Sequence, residues 1–240
     1  MRLPRESESS WAHLTFAAFT WSSLLAWTEV PDLKEAERAE LAKLAASLKS
    51  DADSLLKEAR DTQDASLFAR PAAQAKQNAA LVVLKRRVNE VLSMVAIRLG
   101  GGSKEHPAVR AFLPGLLTGF TRASVEDRPR LASEAAARLD SGEAFDERAA
   151  LAAKLKDAAM QAQAALEANE AAQAGWSKER SEEVVAKGRL RLSLERTHRQ
   201  LGAMFPGQRE LVESFFLKSS GKPSEGTTED EPAGAETTEG

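Results

Sequence analysis

The chain has 240 residues, no cysteine and no tyrosine, 29% charged residues and a formal net charge of −3. Without cysteine, disulfide frameworks, zinc–thiolate sites and thiol nucleophiles are excluded, and a reducing, cytoplasmic setting is expected. Residues 218–240 hold two lysines against six acids, so the remaining body is close to neutral. It lacks the basic excess with which nucleic-acid binders displace counterions from phosphates, so no nucleic-acid partner is expected.

Alanine, leucine, glutamate, lysine and arginine dominate, the residues that cost least in a helix. No stretch of four to eight residues alternates β-branched or aromatic with polar character between hairpin turns. The expected fold class is all-α: long antiparallel helices in a bundle or coiled-coil-like arrangement, with two duplicated helical units as one reading of the chain's self-similarity and chance likeness of alanine-rich helices as the other. The expected organisation is an apolar, tryptophan-rich helix over 1–30, a first unit over 31–123, a second over 124–217 and an acidic, disordered tail over 218–240.

From Trp11 to Thr28 no residue carries a formal charge when His13 is neutral. Helical periodicity puts Trp11, Leu14, Ala18, Trp21 and Leu25 on one stripe, with Phe16, Phe19, Leu24 and Trp27 on other faces. A helix apolar nearly all round is central in a core or inserted in a bilayer. Thr15, Thr20, Ser22 and Ser23 dilute the interior, so a core helix is expected, with partner docking and membrane contact as alternatives.

Pro31 and Asp32 open the next helix, in which Leu41, Leu44, Leu48, Ala52, Leu55 and Ala59 recur at three- and four-residue spacing as a heptad-like seam. Asp61 to Arg70 reads as a softer segment, and Pro71 as the restart of a helix with a second seam through Leu81, Leu84, Val88, Leu92, Val95 and Leu99. Gly100, Gly101 and Gly102 stop it. Short helices between Pro107 and Thr121 follow, and Ser124 with Asp127 can cap the next. An alanine-rich helix runs from about Phe145 to Ala174, Gly175 breaks it, and a further helix covers Ser177 to Met204. A short apolar helix over Glu210 to Leu217 precedes the tail.

The duplication rests on the chain's similarity to itself. At an offset of 99, Leu56, Lys57 and Ala59 fall on Leu155, Lys156 and Ala158. After three added residues, Val82, Val83, Lys85, Arg87, Leu92 and Leu99 fall on Val184, Val185, Lys187, Arg189, Leu194 and Leu201. Pro71 opposes Glu170, which fits only if Pro71 begins no new helix. Each unit would then carry a basic spot, Lys85 with Arg87 and Lys187 with Arg189, where an acidic partner could sit. Pairing with Glu90, Glu182 or Glu183 at helical spacing accounts for the same residues without a partner.

No catalytic motif stands out. Glu195 and His198 have the Glu-x-x-His spacing of carboxylate-bridged metal bundles, but the aligned positions of the first unit, Ser93 and Ala96, cannot ligate. No metal or cofactor is therefore expected, and the reading leans away from an enzyme. The expected role is a protein–protein interaction or scaffolding protein that binds a protein partner or self-associates through helices. The alternatives are a ligand- or metal-binding helical bundle enzyme and a membrane-surface protein. The candidate interaction residues are Trp11, Trp21, Leu25, Lys85, Arg87, Lys187 and Arg189. The tail offers nothing apolar to pack, so deleting 218–240 should leave the thermal midpoint nearly unchanged; a drop of several degrees in calorimetry would show that it packs.

Overall fold

The computed structural model describes residues 3–217, so the tail expectation lies outside the described residues. Among the described residues every regular element is helical and no strand occurs. The order is α1 (Ser10–Thr28), α2 (Glu35–Asp64), a π-helical turn (Ala65–Ala69), α3 (Arg70–Leu99), α4 (Pro107–Phe112), α5 (Leu116–Arg122), α6 (Asp127–Ser141), α7 (Arg148–Met204) and α8 (Arg209–Ser214). The all-α class with long, packed helices is thus what the chain adopts.

Two breaks expected from the sequence are absent, each for a local reason. Pro71 lacks an N–H, and its ring would strike the carbonyl of Leu67 in a regular α-helix. The turn before it widens instead, with the Arg70 N–H bonding the carbonyl of Ala65 five residues back, and the helix continues through Ala65–Ala69 into α3. Such single π-turns accommodate strain inside helices. Gly175 likewise fails to end α7, whose 57 residues run through it. Glycine costs only about 1 kcal/mol in a helix interior, less than a long alanine-rich helix gains by continuing. α2 also begins later than expected, at Glu35, with the Glu37 carboxylate accepting from the Lys34 N–H at 2.9 Å. The turn at Pro31–Leu33 is held instead by Arg38, which donates to the carbonyls of Val30 and Pro31 at 3.2 and 2.9 Å.

The glycines after α3 do stop it. Gly101 and Gly102 take φ of +58° and +90°, the left-handed region where only glycine is unstrained, and the Gly102 N–H closes on the Ala96 carbonyl at 2.8 Å. Ser124 caps α6 as expected, accepting from the Asp127 N–H at 3.2 Å while its hydroxyl donates to the Asp127 carboxylate at 2.8 Å.

The chain forms two compact units, one from residues up to Ser50 and from Arg191 onward, the other from Asp51 to Leu190. The first comprises α1, the start of α2, the end of α7 and α8. Its core holds Phe16, Leu24, Leu41, Leu48, Leu194, Leu201, Phe205 and Phe215, all buried.

In the second unit the stretch through α2, the π-turn and α3 runs antiparallel to α7. Glu58 and Asp61 lie beside Glu179, Arg70 stacks 4.3 Å from the Trp176 ring, and Arg98 makes a two-pronged ion pair with Glu147 at 2.8 and 3.1 Å. α4, α5 and α6 pack on α3. Leu84, Val88, Leu92 and Val95 are buried there in one core with Phe112, Phe120, Ala135, Leu151 and Leu155.

Candidate functional site

In the first unit, Ser9 caps α1 by accepting from the Ala12 N–H at 3.2 Å. Its buried face is His13, Phe16, Ala17, Thr20 and Leu24. The polar members bond locally: His13 Nδ1 donates to the Ser9 carbonyl at 2.9 Å while its Nε2 has no hydrogen bond, and the Thr20 hydroxyl donates to the Phe16 carbonyl at 3.1 Å. Phe16 stacks on Phe216 with ring centres 6.3 Å apart, and Trp27 meets Phe215 at 5.5 Å, which fastens α1 to the end of the described chain.

The opposite face of α1 is uncovered. Trp11 is 48% exposed and Phe19 and Leu25 are each 40% exposed, with Thr15, Ala18, Ser22 and Ala26 also exposed between them. The stripe through Trp11, Ala18 and Leu25 is therefore the outer one. The core expectation is corrected to half a helix: the buried face is the mixed one carrying His13 and Thr20. Trp21 lies between the two, half-buried, with the Lys49 ammonium 5.3 Å above its ring.

The basic candidates sit in the second unit. Lys85 is exposed, Arg87 pairs with Glu90 at 2.6 Å, Lys187 is half-buried and Arg189 is exposed. Arg189 lines an open cleft of 440 Å³ with Ser54, Glu58, Ser181 and Glu182. The structure does not bring Lys85 and Arg87 together with this cleft's residues into one site.

The carboxylates of Glu58, Asp61 and Glu179 come within 4.8 Å of one another, a group no local spacing announces because Glu179 is distant in sequence. Such oxygens could hold a hard cation. Lys57 already supplies one, 3.1 Å from Glu58 and 3.3 Å from Asp61, and these acceptors hold its pKa above the ordinary lysine value. Glu195 and His198 do not form a site together: Glu195 pairs with Arg199 at 3.6 Å, and the His198 ring packs 5.4 Å from Phe216. Burial there pushes the His198 pKa down, opposed in part by the Glu213 carboxylate.

The middle of the second unit is distinctive for polarity at the helix pair. Thr62 Oγ1, Arg70 Nε, Gln77 Oε1 and Asn169 Oδ1 are buried atoms without a hydrogen-bond partner. Unsatisfied groups of this kind cost roughly 1–3 kcal/mol each, so this section of the pair is weak by comparison with its apolar end. Trp176 is flanked there by Arg70 and Arg180, at 4.3 and 5.6 Å from its ring.

Comparison with protein-family models, with curated proteins and with solved structures finds no match to the chain.

The two faces of α1 make opposite demands on stability. Phe16→Ala should cost about 3–5 kcal/mol in chemical denaturation of the full chain, as a cavity in the aromatic cluster. Trp11→Ala should stay within about 1 kcal/mol. Equal losses for the two would mean that the outer face is also packed.

Proposed function

We propose that the chain is a non-catalytic helical interaction protein that binds a protein partner through the outward face of α1. The observation that carries this reading is the pairing of a fully packed inner face with an uncovered, uncharged outer one. Trp11, Phe19 and Leu25 stand exposed on a helix with no formal charge from Trp11 to Thr28. Contiguous exposed apolar surface of this kind marks interaction sites, and aromatic side chains are the residues that anchor them.

A protein partner suits this face better than a lipid surface. Interfacial helices pair their apolar side with a lysine- and arginine-rich polar side, and α1 has neither residue. Among the described residues no helix is long and apolar enough to cross a membrane. The metal-bundle alternative loses its motif, because Glu195 is engaged by Arg199 and His198 packs on an aromatic ring. A cytoplasmic setting remains part of this proposal, on the absence of cysteine.

The test keeps the buried face of α1 intact. A photo-crosslinking amino acid at position 19 of the full chain, in its native cells, should capture a defined protein. Replacing Trp11 and Leu25 by serine should abolish the capture while helix content and melting stay unchanged. If the same probe captures no protein and the purified chain instead sediments with anionic lipid vesicles, the reading is wrong and α1 is a membrane-surface helix.

A further inference from the structure

The second unit contains a long section of helix pair over which none of its own described elements lies. In the α2–π–α3 stretch, Leu55 and Ala59 are buried and the next buried residue is Leu84; in α7, Ala162 is buried and the next is Ala186. Between those limits, over 60–83 and 163–185, no side chain is fully buried. The same helices bury a complete core a few turns away, where α4–α6 lie against them. Two helices alone cannot enclose a side chain, and an apolar stripe that meets no third element stays wet.

The uncovered section is not a polar, solvated face. Leu67 and Phe68 on the π-turn are 55% and 67% exposed, and Val83 at the far end of this section is 45% exposed. At about 100° per residue, Ala72, Ala79 and Val83 of α3 fall on one flank of the pair. Ala164, Ala168 and Gly175 of α7 fall on the same flank, and all six are exposed. Each helix thus presents an apolar, mostly small-residue row about a quarter-turn from the row that faces its neighbour, and small side chains let further helices approach closely.

We infer that the occupant of this flank is the same flank of a second copy of the chain, so that two helix pairs close into a four-helix bundle. Two observations select a copy of this chain over another protein. The first is charge. Over the uncovered section, residues 60–83 carry three basic against two acidic side chains, a net of +1, while residues 163–185 carry five glutamates against two basic side chains, a net of −3. A two-fold axis through the middle of the flank sets the α3 of one copy beside the α7 of the other, so the acidic α7 of each copy meets a helix of opposite net sign rather than another α7. A self-complementary patch of this kind is what an isologous dimer requires.

The second observation is area. Twenty-three residues of helix span about 34 Å, and two helices side by side about 20 Å, so one copy offers roughly 700 Å² of flank. That approaches the ~800 Å² per partner of a standard interface. The surface is separate from α1, so this inference does not rest on the partner proposed for that helix.

The experiment is size-exclusion chromatography with light scattering on the full chain, with two full-chain variants, Val83→Glu and Ala168→Arg. Both positions are exposed, and circular dichroism checks that helix content is kept. The wild type should have the mass of a dimer at micromolar concentration, and each variant should weaken dimerisation at least tenfold. The cysteine-free chain permits an independent reading: a single nitroxide at Ala72→Cys should show dipolar coupling to its copy in the wild-type background and none after Val83→Glu. A monomer at about 100 μM, or a dimer that survives both variants, would overturn the inference. So would a dimer lost only when Trp11 and Phe19 are replaced by serine, an outcome that places self-association on α1 instead.

Discussion

The structure turns on a geometric limit: a pair of helices encloses no side chain until a third element covers the seam between them. α3 shows both sides of this limit within one helix. Where α4–α6 cover it, Leu84, Val88, Leu92 and Val95 lose contact with water entirely. One turn earlier the burial stops, although α7 continues alongside and the composition of the helices hardly changes. Burial of a leucine is worth about 1.5–3 kcal/mol, so covered segments hold most of the chain's stability and the bare segment contributes little.

Four buried polar atoms without a hydrogen-bond partner fall where this limit predicts they can be tolerated. Thr62, Arg70, Gln77 and Asn169 line the uncovered stretch, close to solvent, whereas the covered core is built from apolar side chains. The π-turn lies in the same stretch. A widened turn before Pro71 is cheap where no third helix has to fit against it, and it leaves Leu67 and Phe68 pointing outward. α1 obeys the same limit in the other unit, with one face closed by Phe216 and Phe215 and the other left without a neighbour.

Much of this was legible in the sequence, because helical composition and three–four spacing are local. The all-α class, the buried positions Leu41, Leu44, Leu48, Leu55 and Ala59 of the first seam and Leu84, Val88, Leu92 and Val95 of the second, the glycine stop and the Ser124 cap follow from residues a few positions apart. Pro71 and Gly175 misled for the same reason: each is a breaker by local preference, and in each case the flanking helix outweighed it. Which face of α1 is covered was not legible, since a helix apolar all round has no amphipathic direction to read. The acidic trio was hidden too, because Glu179 joins Glu58 and Asp61 only through the antiparallel return of α7.

Hydrogen exchange at two protein concentrations tests the central claim most directly, since cover is what separates strong from weak segments. The account predicts that amides of 84–96 and 151–162 exchange at one slow rate at any concentration. Those of 63–83 and 163–185 should exchange faster in dilute solution and slow down as the protein is concentrated. Uniform protection along both long helices, unchanged by dilution, would contradict it, for it would mean that the helix pair is stable without a covering element.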